Sequence, residues 1–101
     1  MKLLMIMALR AYEDQLSQIL SDANVGIYSE LDLRGYNTLK KTVDPLNWFS
    51  ANREPESSLL LMVVADETQT REVMNQLESK NKQEWEDRPS HAFQLKIENL
   101  I

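Results

Sequence analysis

A chain of 101 residues with 43% hydrophobic content has room for one compact domain with a single core. It has no cysteine, which excludes a disulfide framework, a thiolate zinc site and a cysteine nucleophile. Its formal net charge of −5 argues against general affinity for nucleic acid or an anionic membrane surface. No apolar run approaches the ~18 residues of a membrane span. We therefore expect a soluble, cytoplasmic protein whose partner is another protein or a small molecule.

The chain begins with an unbroken apolar run from Leu3 to Leu9, as is typical of a strand buried on both faces. The same start resembles the charged and apolar parts of a signal peptide. The run is minimal, however, and Arg10, Glu13 and Asp14 follow at once, which favours a core strand. A first helix is predicted next, because apolar residues recur at helical spacing and two acids lie in the first turn. These apolar residues are Tyr12, Leu16, Ile19, Leu20 and Ala23.

Three more elements follow. Ile27 to Arg34 alternates between apolar and polar residues, which predicts a strand with one wet face. Leu59 to Ala65 is again continuously apolar and predicts a second buried strand. Residues 66–80 carry an apolar stripe and predict a second helix, capped at its start either by Asp66 with Gln69 or by Thr68 with Thr70. Residues 93–98 alternate and predict a fourth strand near a sheet edge.

The order β-α-β-β-α-β predicts an α+β, ferredoxin-like sandwich, a four-stranded antiparallel sheet with both helices on one face. In that topology the first and third strands are central, in agreement with their apolar runs. Both faces of the first strand are apolar, since Leu3, Met5 and Met7 alternate with residues of the same kind. Something must cover the face without helices, and we expect a homo-oligomer to do so.

Three stretches resemble one family. Residues 9–37, including ILSDANVGI and LDLRGYN, follow its pattern without a gap. LLLMVVADETQT resembles its third strand and the acidic turn that opens the second helix, and LKIENL resembles its last strand. The family is the PII signal-transduction proteins, the nitrogen regulatory proteins, with their PII-like relatives. The resemblance covers about two thirds of the chain and implies a non-enzymatic homotrimer that senses a small-molecule effector at clefts between subunits.

In that resemblance Gly35 ends the second strand at the base of a long projection, the T-loop, and its backbone lines the effector cleft. Residues 37–57 would form this loop. Read from the residues alone, a segment of that length is usually functional or disordered, and Gly35 is equally well a turn or bulge residue with positive φ. The effector site implied by the resemblance contains Gly35, Tyr36, Asn37, Val64 and Arg88.

The chain departs from the family where phosphate is bound. Asn37 replaces a second glycine, and Thr38 and Leu39 replace the basic residue and glutamine that engage ATP phosphate and 2-oxoglutarate with magnesium. The segment KNKQEWEDRPSH also lacks the family's glycine-rich phosphate turn. An adenine nucleotide remains a candidate effector, but cationic side chains elsewhere in the chain would have to hold its phosphates. The alternative is that these side chains are only solvated surface charges. The available cations are Lys40, Lys41, Lys82 and Arg88.

The loop carries candidate contacts for a target protein, and the resemblance makes a membrane transporter a candidate target. Trp48 and Phe49 are neighbouring aromatics in a polar segment, and Lys40 and Lys41 precede them. The aromatics are either anchors for a partner or side chains that fold back to close a hydrophobic cluster. No tyrosine lies between Thr38 and Ser57, so the family's tyrosine modification is not expected there.

A metal-tolerance or efflux accessory protein, similar to the copper-tolerance trimers, is the alternative function. It would bind metal through His91, the sole histidine, with methionines or with Glu84, Glu86 or Asp87, although the residues themselves favour a plain surface histidine at this position. Trp85, among those acids, is interpreted as a packed loop aromatic. An acylphosphatase is disfavoured because ALRAYED has Arg10 but no glycine for a phosphate loop. RNA recognition is excluded because residues 59–64 are aliphatic where stacking aromatics are needed.

Overall fold

The computed structural model describes residues 1–36 and 56–101. Its elements follow the predicted β-α-β-β-α-β order, with one short 3-10 helix, Arg10–Tyr12, before the first α-helix. The four strands are β1 Lys2–Leu9, β2 Ser29–Gly35, β3 Glu56–Ala65 and β4 His91–Lys96. The helices are α1 Glu13–Asp22 and α2 Glu67–Gln83.

The strands form one antiparallel sheet in the order β2-β3-β1-β4. The two strands with continuous apolar runs, β1 and β3, are central, as their sequences predict. This is the ferredoxin-like topology, and the fold prediction is confirmed.

The core lies between the sheet and the two helices. Alternate residues of β1 and β3 point to this side and are fully or almost fully buried: Leu4, Ile6, Ala8, Leu59, Leu61, Val63 and Ala65. The apolar stripes of the helices meet them, with Leu16, Ile19 and Leu20 from α1 and Val73 and Leu77 from α2. The helical periodicity therefore identified the buried side chains correctly.

Local hydrogen bonds define where the helices end. At the end of α1, the Val25 N–H donates to the Leu20 carbonyl at 2.9 Å, and Asn24 adopts the left-handed conformation with φ of 63°. This is a Schellman motif with asparagine in the position where glycine is most common. At the start of α2, Asp66 and Gln69 form a reciprocal capping box. Of the two predicted caps, the Asp66 and Gln69 pair is therefore the one used.

Several boundaries differ from the predictions. The last strand spans His91–Lys96 rather than residues 93–98, and α2 continues to Gln83. The strand β3 begins at Glu56, which pairs with Gly35, so the last two residues of the predicted loop, Glu56 and Ser57, belong to the sheet. At the other end of this hairpin, β2 begins at Ser29 rather than at the predicted Ile27. Ile27 is exposed and lies outside the ladder. Strand pairing extends β3 into a polar segment that its hydrophobic pattern does not include.

Candidate functional site

The sheet face opposite the helices is lined by apolar side chains from all four strands. We call it the open face; its apolar residues are Leu3, Met5, Met7, Leu9, Leu31, Leu33, Leu60, Met62, Val64, Phe93 and Leu95. The described side chains of this face include no Asp, Glu, Lys or Arg. A contiguous apolar surface of this kind marks an interaction site.

The edge strands turn their apolar side to the open face rather than to the helices. Leu31 and Leu33 of β2 lie there, and Asp32 between them lies on the helix side. In β4 likewise, Leu95 lies on the open face and Gln94 on the helix side. The polar face that the alternation predicts is therefore the helix side of both edge strands.

The structure places two of the predicted effector residues at opposite ends of the hairpin. Gly35 pairs with Glu56 at the first residue of β3, whereas Val64 lies near its last residue. Eight residues of strand separate Glu56 from Val64, which corresponds to about 26 Å. Within one chain, therefore, Gly35 and Val64 do not share a site.

Gly35 itself is a regular strand residue. It is buried at the end of β2, and the adjacent Tyr36 is exposed. Among the described residues only Asn24 has positive φ, so the interpretation of Gly35 as a turn or bulge residue with positive φ is wrong. The backbone of Gly35 pairs with that of Glu56, and this is the last pair of the ladder between β2 and β3.

Arg88 lies in the connection between α2 and β4, which an aromatic pair holds in place. The rings of Tyr12 and Trp85 stack with centroids 4.2 Å apart and planes within 7°. The Tyr12 hydroxyl donates a hydrogen bond of 2.9 Å to the Arg88 carbonyl. Burial raises the pKa of Tyr12, and the Asp87 carboxylate adds to this while the Arg88 guanidinium opposes it. Trp85 is buried, which confirms it as a packed loop aromatic.

Asn81 and Ser90 close the same connection, and the sequence reasoning missed this pair. The Asn81 amide donates to the Ser90 carbonyl at 2.9 Å and accepts from the Ser90 N–H at 2.8 Å. The Ser90 hydroxyl adds a third bond of 2.8 Å. Side chains thus fix this segment, which contains no glycine. Only the spacing of Asn81 and Ser90 across a polar loop could have signalled the pairing.

Arg10 is a second residue that sequence reasoning did not place. Its guanidinium forms an ion pair with Asp32 and lies 3.4 Å from the Glu13 carboxylate and 3.6 Å from that of Glu30. The cluster covers part of the polar side of β2. Arg10, Glu13 and Glu30 are partly exposed and Asp32 is almost fully exposed, so each pair contributes little to stability.

His91 is the first residue of β4 and lies on the open face opposite Met7. Its Nε2 atom is shielded from solvent. Burial lowers the pKa of His91 below its ordinary value because it disfavours the charged ring. In the described ranges no three His, Cys, Asp or Glu side chains form a group that could hold a metal, so Glu84, Glu86 and Asp87 do not form one with His91.

The remaining predicted residues of the site and of the partner-binding loop lie outside the described residues: Asn37, Lys40, Lys41, Trp48 and Phe49. Within residues 1–36 and 56–101, neither helix has the length and apolar content that a membrane span requires.

Solved structures share this architecture. The apo form of CPII, a nitrogen regulatory PII-like protein from Thiomonas intermedia K12, matches with a TM-score of 0.68 and 14% identity over 95% of this chain and 87% of that chain. This chain has the PII-like fold. A DUF3240 family protein from Shewanella baltica OS155 matches with a TM-score of 0.67 and 12% identity over 98% of this chain and 91% of that chain.

In another structure CPII is bound to ADP, AMP and bicarbonate; it matches with a TM-score of 0.64 and 14% identity over 99% of this chain and 94% of that chain. No protein-family model and no curated protein sequence matches the chain.

Proposed function

We propose that this protein is a divergent PII-like regulator without enzymatic activity. It forms a homotrimer, binds a small-molecule effector at clefts between subunits and controls a target protein through the loop at residues 37–57. The observation that carries the proposal is the open face, which this chain alone leaves uncovered.

The open face supports assembly because its pattern extends across the whole sheet. The central strands are apolar on both faces, and the edge strands direct their leucines to the same side as the central methionines. A monomer gains nothing from this arrangement of β2 and β4, since their apolar side chains stay partly in water. Other copies of the chain would bury these side chains, as in closed homo-oligomers generally.

The separation of Gly35 from Val64 supports a site between subunits. One chain holds these residues about 26 Å apart along β3. An effector that contacts both must lie where Gly35 of one subunit meets Val64 of another. Tyr36 is exposed beside Gly35 and would contribute to the same cleft.

ADP, AMP and bicarbonate are the candidate effectors, since CPII binds them. The chain has only two glycines and cannot build a glycine-rich phosphate cradle, so the cationic side chains Arg88 and Lys82 are the described candidates for an anion. Arg88 precedes the first residue of β4, and this end of β4 lies at the same end of the sheet as Gly35. The target is proposed to be a membrane transporter, contacted through Lys40, Lys41, Trp48 and Phe49.

The assembly is tested by light scattering on the purified full chain. A homotrimer of the 11.8 kDa chain has a mass of about 35 kDa. A mass near that of one chain at high concentration would remove both the trimer and its intersubunit clefts.

The effector is tested by thermal unfolding with ADP, AMP and bicarbonate, added singly and together. Binding should raise the unfolding temperature, because a ligand that binds only the folded state stabilises it. Limited trypsin digestion at Lys40, Lys41 and Arg53 should slow when the effector is bound. A trimer whose unfolding temperature and loop cleavage ignore all three compounds would contradict the effector proposal while leaving the assembly intact.

A further inference from the structure

The open face brings together residues of the types that ligate soft metals. Three of its five methionines, Met5, Met7 and Met62, lie there together with its single histidine, His91. They come from three adjacent strands, so only the folded sheet brings them together.

The strand register makes these four residues neighbours. Met5 is directly opposite Met62 on β3, and Met7 is directly opposite His91 on β4. Residues in such pairs have Cβ atoms about 4.5–5.5 Å apart, and diagonal neighbours such as Met5 and His91 lie within about 8 Å. Methionine has three rotatable bonds and adapts its shape easily, so the sulfur atoms can converge on one point.

The chemistry of this set is selective. Thioether sulfur is a soft ligand that favours Cu(I), and imidazole is a general transition-metal ligand, whereas magnesium, calcium and manganese prefer carboxylates and water. The described side chains of the open face include no carboxylate. We propose that Met5, Met7, Met62 and His91 form a site for a soft monovalent metal ion, Cu(I) or Ag(I).

The environment of His91 supports this site. Its Nε2 is shielded from solvent, and the ring lies on the same face of the sheet as the three methionines. Thioethers and an imidazole are also compatible with a surface that other subunits cover. The metal site goes beyond the proposed regulatory function and needs no nucleotide.

The test uses the full chain under anaerobic conditions, with Cu(I) delivered from the coloured chelator bicinchoninate and Ag(I) followed by calorimetry. The main variant changes Met5, Met7 and Met62 to leucine together. Met-to-Leu exchanges nearly conserve volume and usually cost less than about 1.5 kcal/mol each. Met74→Leu is the matched control, because Met74 packs against the core on the helix side.

We expect wild type and Met74→Leu to withdraw Cu(I) from the chelator equally. The triple variant should lose more than about 100-fold in affinity, since even residues behind the ligands change metal affinity by 10–100-fold. Wild type that leaves Cu(I) with the chelator, or a triple variant that binds as tightly as wild type, overturns the site.

Circular dichroism shows whether the triple variant is folded. If it is not, His91→Gln alone decides: it must weaken Cu(I) and Ag(I) binding while the fold is retained, and equal binding overturns the site. The mass of each protein is measured in parallel. If the protein is a monomer and binds the metal, the trimer proposal is wrong and the metal site is supported. If it is a trimer and does not bind the metal, the metal site is wrong and the trimer is supported.

Discussion

A carboxylate placed on the open face tests whether that face is covered in the assembled protein. Leu95 and Gln94 are adjacent residues of the edge strand β4 and are both exposed in the single chain. Leu95 lies on the open face and Gln94 on the helix side. Leu95→Glu and Gln94→Glu therefore introduce the same carboxylate on the same strand, on opposite faces of the sheet.

The free energy gained when other subunits cover the open face follows from the apolar surface that the single chain leaves exposed. The exposed fractions are 45% for Leu31, 36% for Met62, 44% for Val64 and 51% for Leu95, nearly two complete side chains. At roughly 1.5–3 kcal/mol per side chain, covering them contributes about 3–5 kcal/mol per subunit. A carboxylate buried in that contact costs several kcal/mol unless it is paired. The Leu95→Glu substitution is thus large enough to cancel the gain.

The assay is analytical ultracentrifugation across a range of protein concentrations, with circular dichroism as the check on folding. Leu95→Glu should be a folded monomer, since half of this side chain is already in water in the single chain. Gln94→Glu should keep the mass of wild type. A Leu95→Glu protein that assembles as wild type does, or a Gln94→Glu protein that dissociates as well, would refute the argument that the open face is the assembly surface.

Three further predictions concern single side chains. Because burial lowers the pKa of His91, the unfolded chain binds the proton more readily than the folded chain. The contribution of His91 to stability should therefore be present above about pH 6.5 and be lost as the pH falls below that value, and thermal melts of wild type and His91→Phe that stay parallel down to about pH 5 would contradict this. Tyr12→Phe keeps the ring stack but loses the bond to the Arg88 carbonyl, which should lower the free energy of unfolding by about 1 kcal/mol in urea titrations; no measurable change would show the bond to be neutral. Asp66→Ala removes the oxygen that accepts from the Gln69 N–H and should cost about 1 kcal/mol, whereas Asp66→Asn should keep most of it; equal losses in both variants would argue against the cap.

Much of the fold follows from hydrophobic period alone. A continuous apolar run identifies β1 and β3 as central, and helical spacing selects Leu16, Leu20 and Val73 for the core. The sequence also reduces the cap of α2 to two candidate pairs, because capping donors and acceptors lie within four residues of each other, and the structure selects Asp66 with Gln69. These features depend on residues that are close to each other in the sequence.

The tertiary structure decided what depends on pairing between distant segments. Alternation shows that β2 and β4 each have a leucine side, but only the register shows that both sides turn away from the helices. The same register places Gly35 and Val64 at opposite ends of β3 and puts Met7 opposite His91. Alternation with a period of two residues shows that a strand has two different faces, but it does not show which of them points to the core. Long-range hydrogen bonding of the strands assigns the faces, and with them the surface through which this protein is proposed to assemble.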